Sequence, residues 1–223
     1  MQFASKEISS AQQAPHKRLI DDLERHLAAP YQKPLQTHNL EAFEQLLKHI
    51  NSNKYEQLIL DSCCGTGLSS RALANNNPGA LVIGIDRSLK RLNTESLNAG
   101  ELPENCLLLR ANCEDIWRLC EREGLVFKQH FLLYPNPYPK TEHLKRRWHG
   151  HPVFPLLPKL AQKTELRSNW RIYLEEFELC WRHLGAGETQ LNELAVQEPL
   201  TLFERKYLNS GQALYQLICQ NQL

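Results

Sequence analysis

Two carboxylates bracket a run of very small residues. Asp61 precedes Ser62-Cys63-Cys64-Gly65-Thr66-Gly67, and Asp86 follows that run at about the twenty-residue spacing of a nucleoside-binding acid. Glycines at 65 and 67 allow backbone to approach a ligand and supply turn conformations that residues with a Cβ adopt only at a cost. A carboxylate at position 86 suits a ribose diol, because it accepts from two hydroxyls. The dinucleotide spacing G-x-G-x-x-G is missing, and Asp61 would repel a pyrophosphate but could hold an ammonium. These features point to S-adenosylmethionine, a methyl donor, in preference to a dinucleotide.

A second group of residues lies further along. Phe131 to Pro139 reads Phe-Leu-Leu-Tyr-Pro-Asn-Pro-Tyr-Pro, and its alternating prolines hold the backbone extended with Asn136 and Tyr138 on a stiff ledge. Such a ledge beside a donor site could position a flat base. Lys140, His143, Lys145, Arg146, Arg147, Trp148 and His149 come next, a cationic cluster with an aromatic that reads as a phosphate-binding footprint, although a solvated helix face has a similar composition. Between the two groups stands Asn112, whose amide could meet an adenine edge or simply cap the helix after it.

The elements that must position these residues alternate between strand and helix. Leu58 to Asp61, Leu81 to Asp86, Cys106 to Leu109 and a segment entering Phe131 read as buried strands, with helices over Ser69 to Asn75, Ile116 to Glu123 and Arg171 to His183, and a last strand over Ala213 to Cys219. Residues 10 to 50 read as mainly helical, broken at Pro30 and Pro34. The expected organisation is a helical extension over 1–50, packed on the edge of the sheet, and one α/β domain over 51–223.

Composition narrows the class. At 223 residues with 42% hydrophobic content the chain can bury a substantial core. Its net charge of +1 does not announce nucleic acid, so local patches must carry that argument. Seven scattered cysteines fit a reducing compartment, and Cys63 and Cys64 read first as small core residues. The amino terminus lacks a signal pattern and no apolar run is long enough to span a membrane, so the expectation is a cytoplasmic protein with no membrane partner. No histidine or cysteine spacing suggests a metal. The sequence does not decide the oligomeric state, and a monomer is the expectation.

The ledge and the residues after it resemble a known family. Tyr134-Pro135-Asn136-Pro137-Tyr138-Pro139-Lys140, with His143 and Lys145-Arg146-Arg147 after it, is similar to the F-P-D-P-W-x-K…H-x-K-R-R signature of the bacterial tRNA (guanine-N7)-methyltransferases. Ser168-Asn169-Trp170 with Tyr173 and Glu175 resembles that family's T-D-W-x-x-Y-x-E, and Thr201-Leu202-Phe203-Glu204 its T-K-F-E. The resemblance implies a Rossmann-like, doubly wound α/β class I methyltransferase sheet, S-adenosylmethionine as methyl donor and tRNA as partner. It also implies that Asp61, Cys63, Gly65, Gly67, Asp86, Asn112 and Asn136 line the donor site, with Asn136 at the catalytic position. Lys140, Asn169, Thr201, Leu202, Phe203 and Glu204 would hold the base and its surroundings, and Lys145, Arg146 and Arg147 would meet tRNA phosphates.

The departures from the family pattern bear on the chemistry. Cys63 takes the place of a glycine, and Asn136 and Asn169 replace aspartates, which removes two negative charges from the substrate side. Guanine N7 has an exposed lone pair and no proton, so transfer to it depends on in-line positioning more than on a base. The missing charges would have stabilised the purine cation, and their absence implies a weaker enzyme or a changed substrate. Two alternatives stay open at this point: transfer to another nucleobase or amine, suggested by Asn136-Pro137-Tyr138, and a catalytically silent RNA-binding paralogue. Glu204 without the resemblance would be a surface carboxylate beside Arg205 or Lys206.

Overall fold

The computed structural model describes residues 5–94 and 101–221. In chain order the elements are α1 (Leu19–Ala28), α2 (Thr37–Ser52), β1 (Gln57–Ser62), α3 (Leu68–Asn76), β2 (Ala80–Asp86), α4 (Leu89–Leu92), β3 (Cys106–Arg110), α5 (Cys113–Arg122) and β4 (Phe127–Leu133). Three short 3-10 turns over Thr141–Arg146, Trp148–Gly150 and Phe154–Lys159 lead to β5 (Ala161–Ser168), α6 (Arg171–His183), β6 (Gly187–Glu193), α7 (Leu202–Leu208) and β7 (Tyr215–Asn221).

The strands form one sheet in the order β3-β2-β1-β4-β5-β7-β6. Neighbours from β3 through β5 pair in parallel, and β7 runs antiparallel to both β5 and β6. This is a Rossmann-like doubly wound sheet, and the strand order reverses between β1 and β4. At such a reversal the loops leaving adjacent strand ends diverge to opposite faces and open a crevice. Register sets Asp61 beside Gly84 on one side and Phe131 on the other, so the carboxyl ends of β1, β2 and β4 share one rim.

Side-chain alternation explains why the central strands read as unbroken apolar runs. On β2, Leu81, Ile83 and Ile85 join the core beneath α1, α2, α5 and α6, while Ala80 and Val82 join the cluster on the opposite face with Leu73 and Ala74 of α3. A parallel strand covered on both faces has no polar side. The two amino-terminal helices belong to this core as well: Leu19, Leu23, Phe43 and Leu46 are buried in it. α1 packs on α6, and α2 packs on α5 and on the edge strand β3. α2 runs to Ser52, beyond the boundary expected at residue 50.

Several elements depart from the sequence expectation. α5 starts at Cys113, before the expected Ile116, and β7 runs from Tyr215 to Asn221, after the expected start at Ala213. β5, β6 and α7 were not legible at all. β5 reads Ala-Gln-Lys-Thr-Glu-Leu-Arg-Ser, and its buried Thr164, Glu165 and Ser168 hide the apolar signature of an interior strand.

One packing contact links the sheet to its rim. A Cβ built on Gly84 would lie 2.3 Å from Ser70 Oγ and 2.6 Å from Leu108 Cδ2, so β2 and α3 can approach only because position 84 has no side chain. Gly84→Ala should therefore lower the unfolding free energy by about 1–3 kcal/mol through overpacking, measured by urea denaturation.

Candidate functional site

The turn after β1 is built from left-handed backbone. Cys63, Gly65 and Gly67 have φ of 62°, 63° and 76°. At Cys63 this conformation costs about 1–2 kcal/mol that a glycine would not incur. A Cβ on Gly67 would meet Leu108 Cδ1 at 2.7 Å, whereas Gly65 has open space beside it. Gly65 is therefore the point at which a ligand can come against bare backbone.

The two carboxylates support this turn differently. Asp86 ends β2 with Oδ2 accepting from the Gly65 amide at 3.0 Å and Oδ1 from the Ser88 amide at 2.8 Å; Arg91 stands 3.4 Å from Oδ2. Asp61 is wholly buried beneath the loop. Its Oδ2 accepts from the Ser69 and Ser70 hydroxyls at 2.6 Å each, and its Oδ1 has no hydrogen-bond partner. Burial pushes its carboxyl up to about 6, against the pull of the two serine hydroxyls. An unpartnered buried carboxylate oxygen is costly unless something cationic faces it.

A cleft of about 320 Å³ opens over the turn. Cys64, Gly65, Thr66 and Ser69 form one wall, and Thr201, Leu202, Phe203 and Lys206 at the start of α7 form the other. Thr201 caps α7 by accepting from the Glu204 amide at 2.9 Å, the hydrogen bond expected where a threonine precedes a glutamate by three positions. That cap turns Leu202 and Phe203 outward, where they are 47% and 51% exposed, apolar surface on a cleft wall.

The ledge lies at the end of β4. Tyr134 and Tyr138 have φ of 53° and 44°, positive values that mark local strain held by the surroundings. Asn136 is exposed, and its Oδ1 accepts from the Tyr138 amide at 3.3 Å. Lys140, Lys145 and Arg146 are exposed beyond it, with the Arg146 guanidinium 5.8 Å from the Tyr138 ring centroid. Asn112 is half-buried at the end of β3, where its backbone amide donates to Asn39 Oδ1 of α2 at 2.9 Å. Its side chain makes no cap hydrogen bond to α5. Asn169 is half-buried and donates to Gln212 Oε1 at 2.8 Å.

Two expected substrate contacts need correction. Arg147 does not extend the exposed basic run. It is fully buried, ion-paired to Glu176 at 2.5 Å, and donates to the carbonyls of Tyr138 and Lys140. A guanidinium in a dry interior is tolerable only when its donors are met, and here they brace the ledge from behind. Glu204 is likewise neither a surface carboxylate nor a lining residue of the cleft. Its Oε1 accepts from the Tyr134 hydroxyl at 2.8 Å and Arg167 Nη1 at 2.9 Å, and its Oε2 from the Leu200 amide at 2.6 Å. It ties the ledge to α7, which leaves Thr201, Leu202 and Phe203 to face the cleft.

Sequence reasoning missed the partners of these groups. Glu176 accepts from Arg147, His149, Gln12 and the His16 amide, and Ser10 donates to the Pro139 carbonyl at 2.7 Å. The segment before α1 thus holds the ledge in place. Glu176 sits on a helix with apolar neighbours at helical spacing, and the only available signal was a carboxylate on the buried face.

A family model described as "Putative methyltransferase" matches residues 55–217. The chain is 25% identical over 219 residues to the tRNA (guanine-N(7)-)-methyltransferase of Alkaliphilus oremlandii, covering 92% of this chain and 95% of that protein. It is 33% identical over 91 residues to the one from Aquifex aeolicus and 26% over 178 residues to the one from Treponema pallidum. Those matches cover 40% and 72% of this chain but only 31% and 65% of the two relatives. Among solved structures, the 16S rRNA methyltransferase KamB aligns with a TM-score of 0.57 at 17% identity, over 86% of this chain and 97% of that one. The aminoglycoside resistance methyltransferase NpmB1 aligns with a TM-score of 0.56 at 19% identity, over 85% and 95%. At those identities the likeness concerns the fold.

The Glu176 cluster generates a stability test. Burial raises its carboxyl, but the hydrogen bond from His149 and the charges of His149 and Arg147 outweigh that and hold it at about 2. A depressed carboxyl stabilises the fold fully above its unfolded value of about 4.3, and that stability disappears as pH falls toward about 2. The urea midpoint should drop between those pH values. Glu176→Gln should flatten that drop and cost about 3–5 kcal/mol at neutral pH, because Arg147 is left buried without its counter-charge.

Proposed function

The chain belongs to the methyltransferase family whose model it matches over residues 55–217, and from that premise we propose that it methylates guanine N7 in tRNA with S-adenosylmethionine as donor. The observation that carries this reading is the shared cleft: a glycine turn over a buried, half-satisfied carboxylate on one wall, and an exposed Phe203 beside Lys206 on the other.

The donor-side residues fit a sulfonium amino acid joined to adenosine. Open backbone at Gly65, the Asp86 carboxylate at the end of β2 and the Asn112 amide at the end of β3 suit the turn, the ribose and the adenine edge respectively. Asp61 contributes negative charge beneath the turn, and its unpartnered Oδ1 favours a cationic ligand above it. When bound, S-adenosylmethionine supplies an electrophilic methyl group.

The chain's own task is orientation. Phe203 offers a flat apolar face to a purine, and the Asn136 oxygen can face the positive charge that develops on the ring. Lys140, Lys145 and Arg146 form the exposed cationic face for tRNA phosphates. On this reading the protein works in the cytoplasm with its RNA, as a monomer. Among the described residues no helix is long and apolar enough to cross a membrane, and no three His, Cys, Asp or Glu side chains group as a metal site.

Transfer of labelled methyl to unmodified tRNA, followed by digestion to nucleosides, tests the proposal. Label in 7-methylguanosine supports it; label in another nucleoside, or none despite RNA binding, rejects it. Asn136→Asp should raise kcat about tenfold by restoring charge opposite the purine cation. The double variant Lys145→Ala/Arg146→Ala should weaken RNA binding and reduce its logarithmic salt slope by about 1 for each phosphate no longer neutralised. An unchanged slope would remove these residues from the RNA face.

A further inference from the structure

Cys63 and Cys113 bring their sulfurs to 3.7 Å, the one sulfur–sulfur contact among the described residues. Cys63 is half-buried in the turn after β1, in strained left-handed backbone; Cys113 is buried as the first residue of α5, directly after Asn112. The other buried cysteines, 106, 120, 180 and 219, are free thiols and make no sulfur–sulfur hydrogen bond among the described residues. We propose that this pair is a redox modification site, at which a hydroperoxide oxidant joins Cys63 to Cys113 in a reversible disulfide that closes the crevice above β2.

The geometry supports the pairing. A disulfide needs the sulfurs at about 2.05 Å, so the present pair must approach by about 1.6 Å from 3.7 Å. The backbone just beyond Cys63 is tied, the Cys64 amide to the Ile85 carbonyl and the Gly65 amide to Asp86 at 3.0 Å each, so the approach is made by the strained residue 63 and its side chain and pulls on those two contacts. Cys113 is anchored, because the backbone beside it is tied to Asn39 and its helix packs in the core. Cys63 therefore moves, and Cys113 receives it.

The two steps balance. The Cys63 sulfur attacks one oxygen of hydrogen peroxide, the O–O bond breaks, and a sulfenic acid forms with release of one water. The Cys113 sulfur then displaces the hydroxyl from Cys63, the S–S bond forms and a second water leaves. Cys63 is only partly buried whereas Cys113 is buried, so Cys63 is the member of the pair that meets the oxidant first. Its sulfur lies 3.7 Å from that of Cys63, so Cys113 resolves the sulfenic acid by proximity, although the hydrogen bond to Cys63 and burial raise its thiol and disfavour the thiolate.

The consequence comes from strand order. β2 lies between β1 and β3, so a bond from the end of β1 to the residue after β3 crosses the rim where Asp86 stands. Drawing the turn inward narrows the space beside Gly65 and Asn112. This effect on donor binding rests on the proposed donor site; the bond itself does not.

The test uses the full chain, reduced and then exposed to hydrogen peroxide, with remaining thiols alkylated and peptides mapped by mass spectrometry. The expected product links Cys63 to Cys113 and is reversed by dithiothreitol. Calorimetry with S-adenosylhomocysteine should show binding about tenfold weaker or worse after oxidation, while Cys113→Ala, or Cys113→Ser if the first variant is unstable, binds alike before and after. A Cys63–Cys64 link, or Cys63 oxidised to sulfinic acid with Cys113 still a thiol, overturns the proposal. Undiminished binding by the linked protein overturns the closure. If the reduced chain does not bind S-adenosylhomocysteine, the donor-site reading falls with the closure, and the mass map still decides the bond.

Discussion

Glu176 is the constraint on which the substrate side of this molecule depends. A single buried carboxylate accepts from the Arg147 guanidinium, the His149 ring, the Gln12 amide and the His16 backbone. Those donors come from the amino-terminal segment and from the turns after the ledge, which have no reason in sequence to meet. Each is costly to leave unpaired in a dry interior, and together they satisfy both carboxylate oxygens. Because Arg147 directs its remaining donors to the Tyr138 and Lys140 carbonyls and to Gln12, the ledge inherits the rigidity of the core. Its guanidinium also lies 4.8 Å from the Trp170 ring centroid, which replaces hydration with a polarisable surface.

A second buried carboxylate has a comparable role on the other side. Glu204 joins Tyr134 at the root of the ledge to Arg167 on β5 and to the start of α7. The hydroxyl that makes the first of these bonds exists because position 134 is Tyr, where the resembled signature has Phe. The ledge is thus fixed from behind by Arg147 and at its base by Glu204, while the cleft wall carrying Thr201 and Phe203 is fixed by the same glutamate. The absence of charge at Asn136 and Asn169 leaves these buried pairs intact, since Asn136 bonds the Tyr138 amide and Asn169 bonds Gln212.

The donor side has a different logic, in which the polar groups are only partly satisfied. Asp61 keeps one oxygen without a partner, Cys63 tolerates a left-handed backbone, and the Gly65 amide is held by Asp86. Unmet and strained groups at one rim lower stability, and a bound ligand can restore it. The substrate side has its buried carboxylates fully partnered; on the donor side Asp86 is partnered too, and only Asp61 keeps an unmet oxygen.

The sheet and the turn are legible in the chain itself. The apolar runs of β1 and β2, Gly65 and Gly67, and the acids Asp61 and Asp86 are local signals whose spacing alone implies strand, turn, helix and strand. The position of Asn136 and Tyr138 after β4 was legible, but the extended backbone expected from the prolines was not met: Tyr134 and Tyr138, each just before a proline, are left-handed, with φ of 53° and 44°. Which charges face solvent was settled by the folded arrangement alone. Lys145, Arg146 and Arg147 are chemically alike in sequence, yet the 3-10 turn over Thr141–Arg146 ends so that Arg147 points inward to Glu176 while its neighbours stay exposed. The same holds for Glu204, and for Glu165 of β5, which accepts from Gln216 on β7 and pairs with Arg167 two positions along its own strand. Burial of a charge depends on a partner distant in the chain, and no local pattern records where that partner will be.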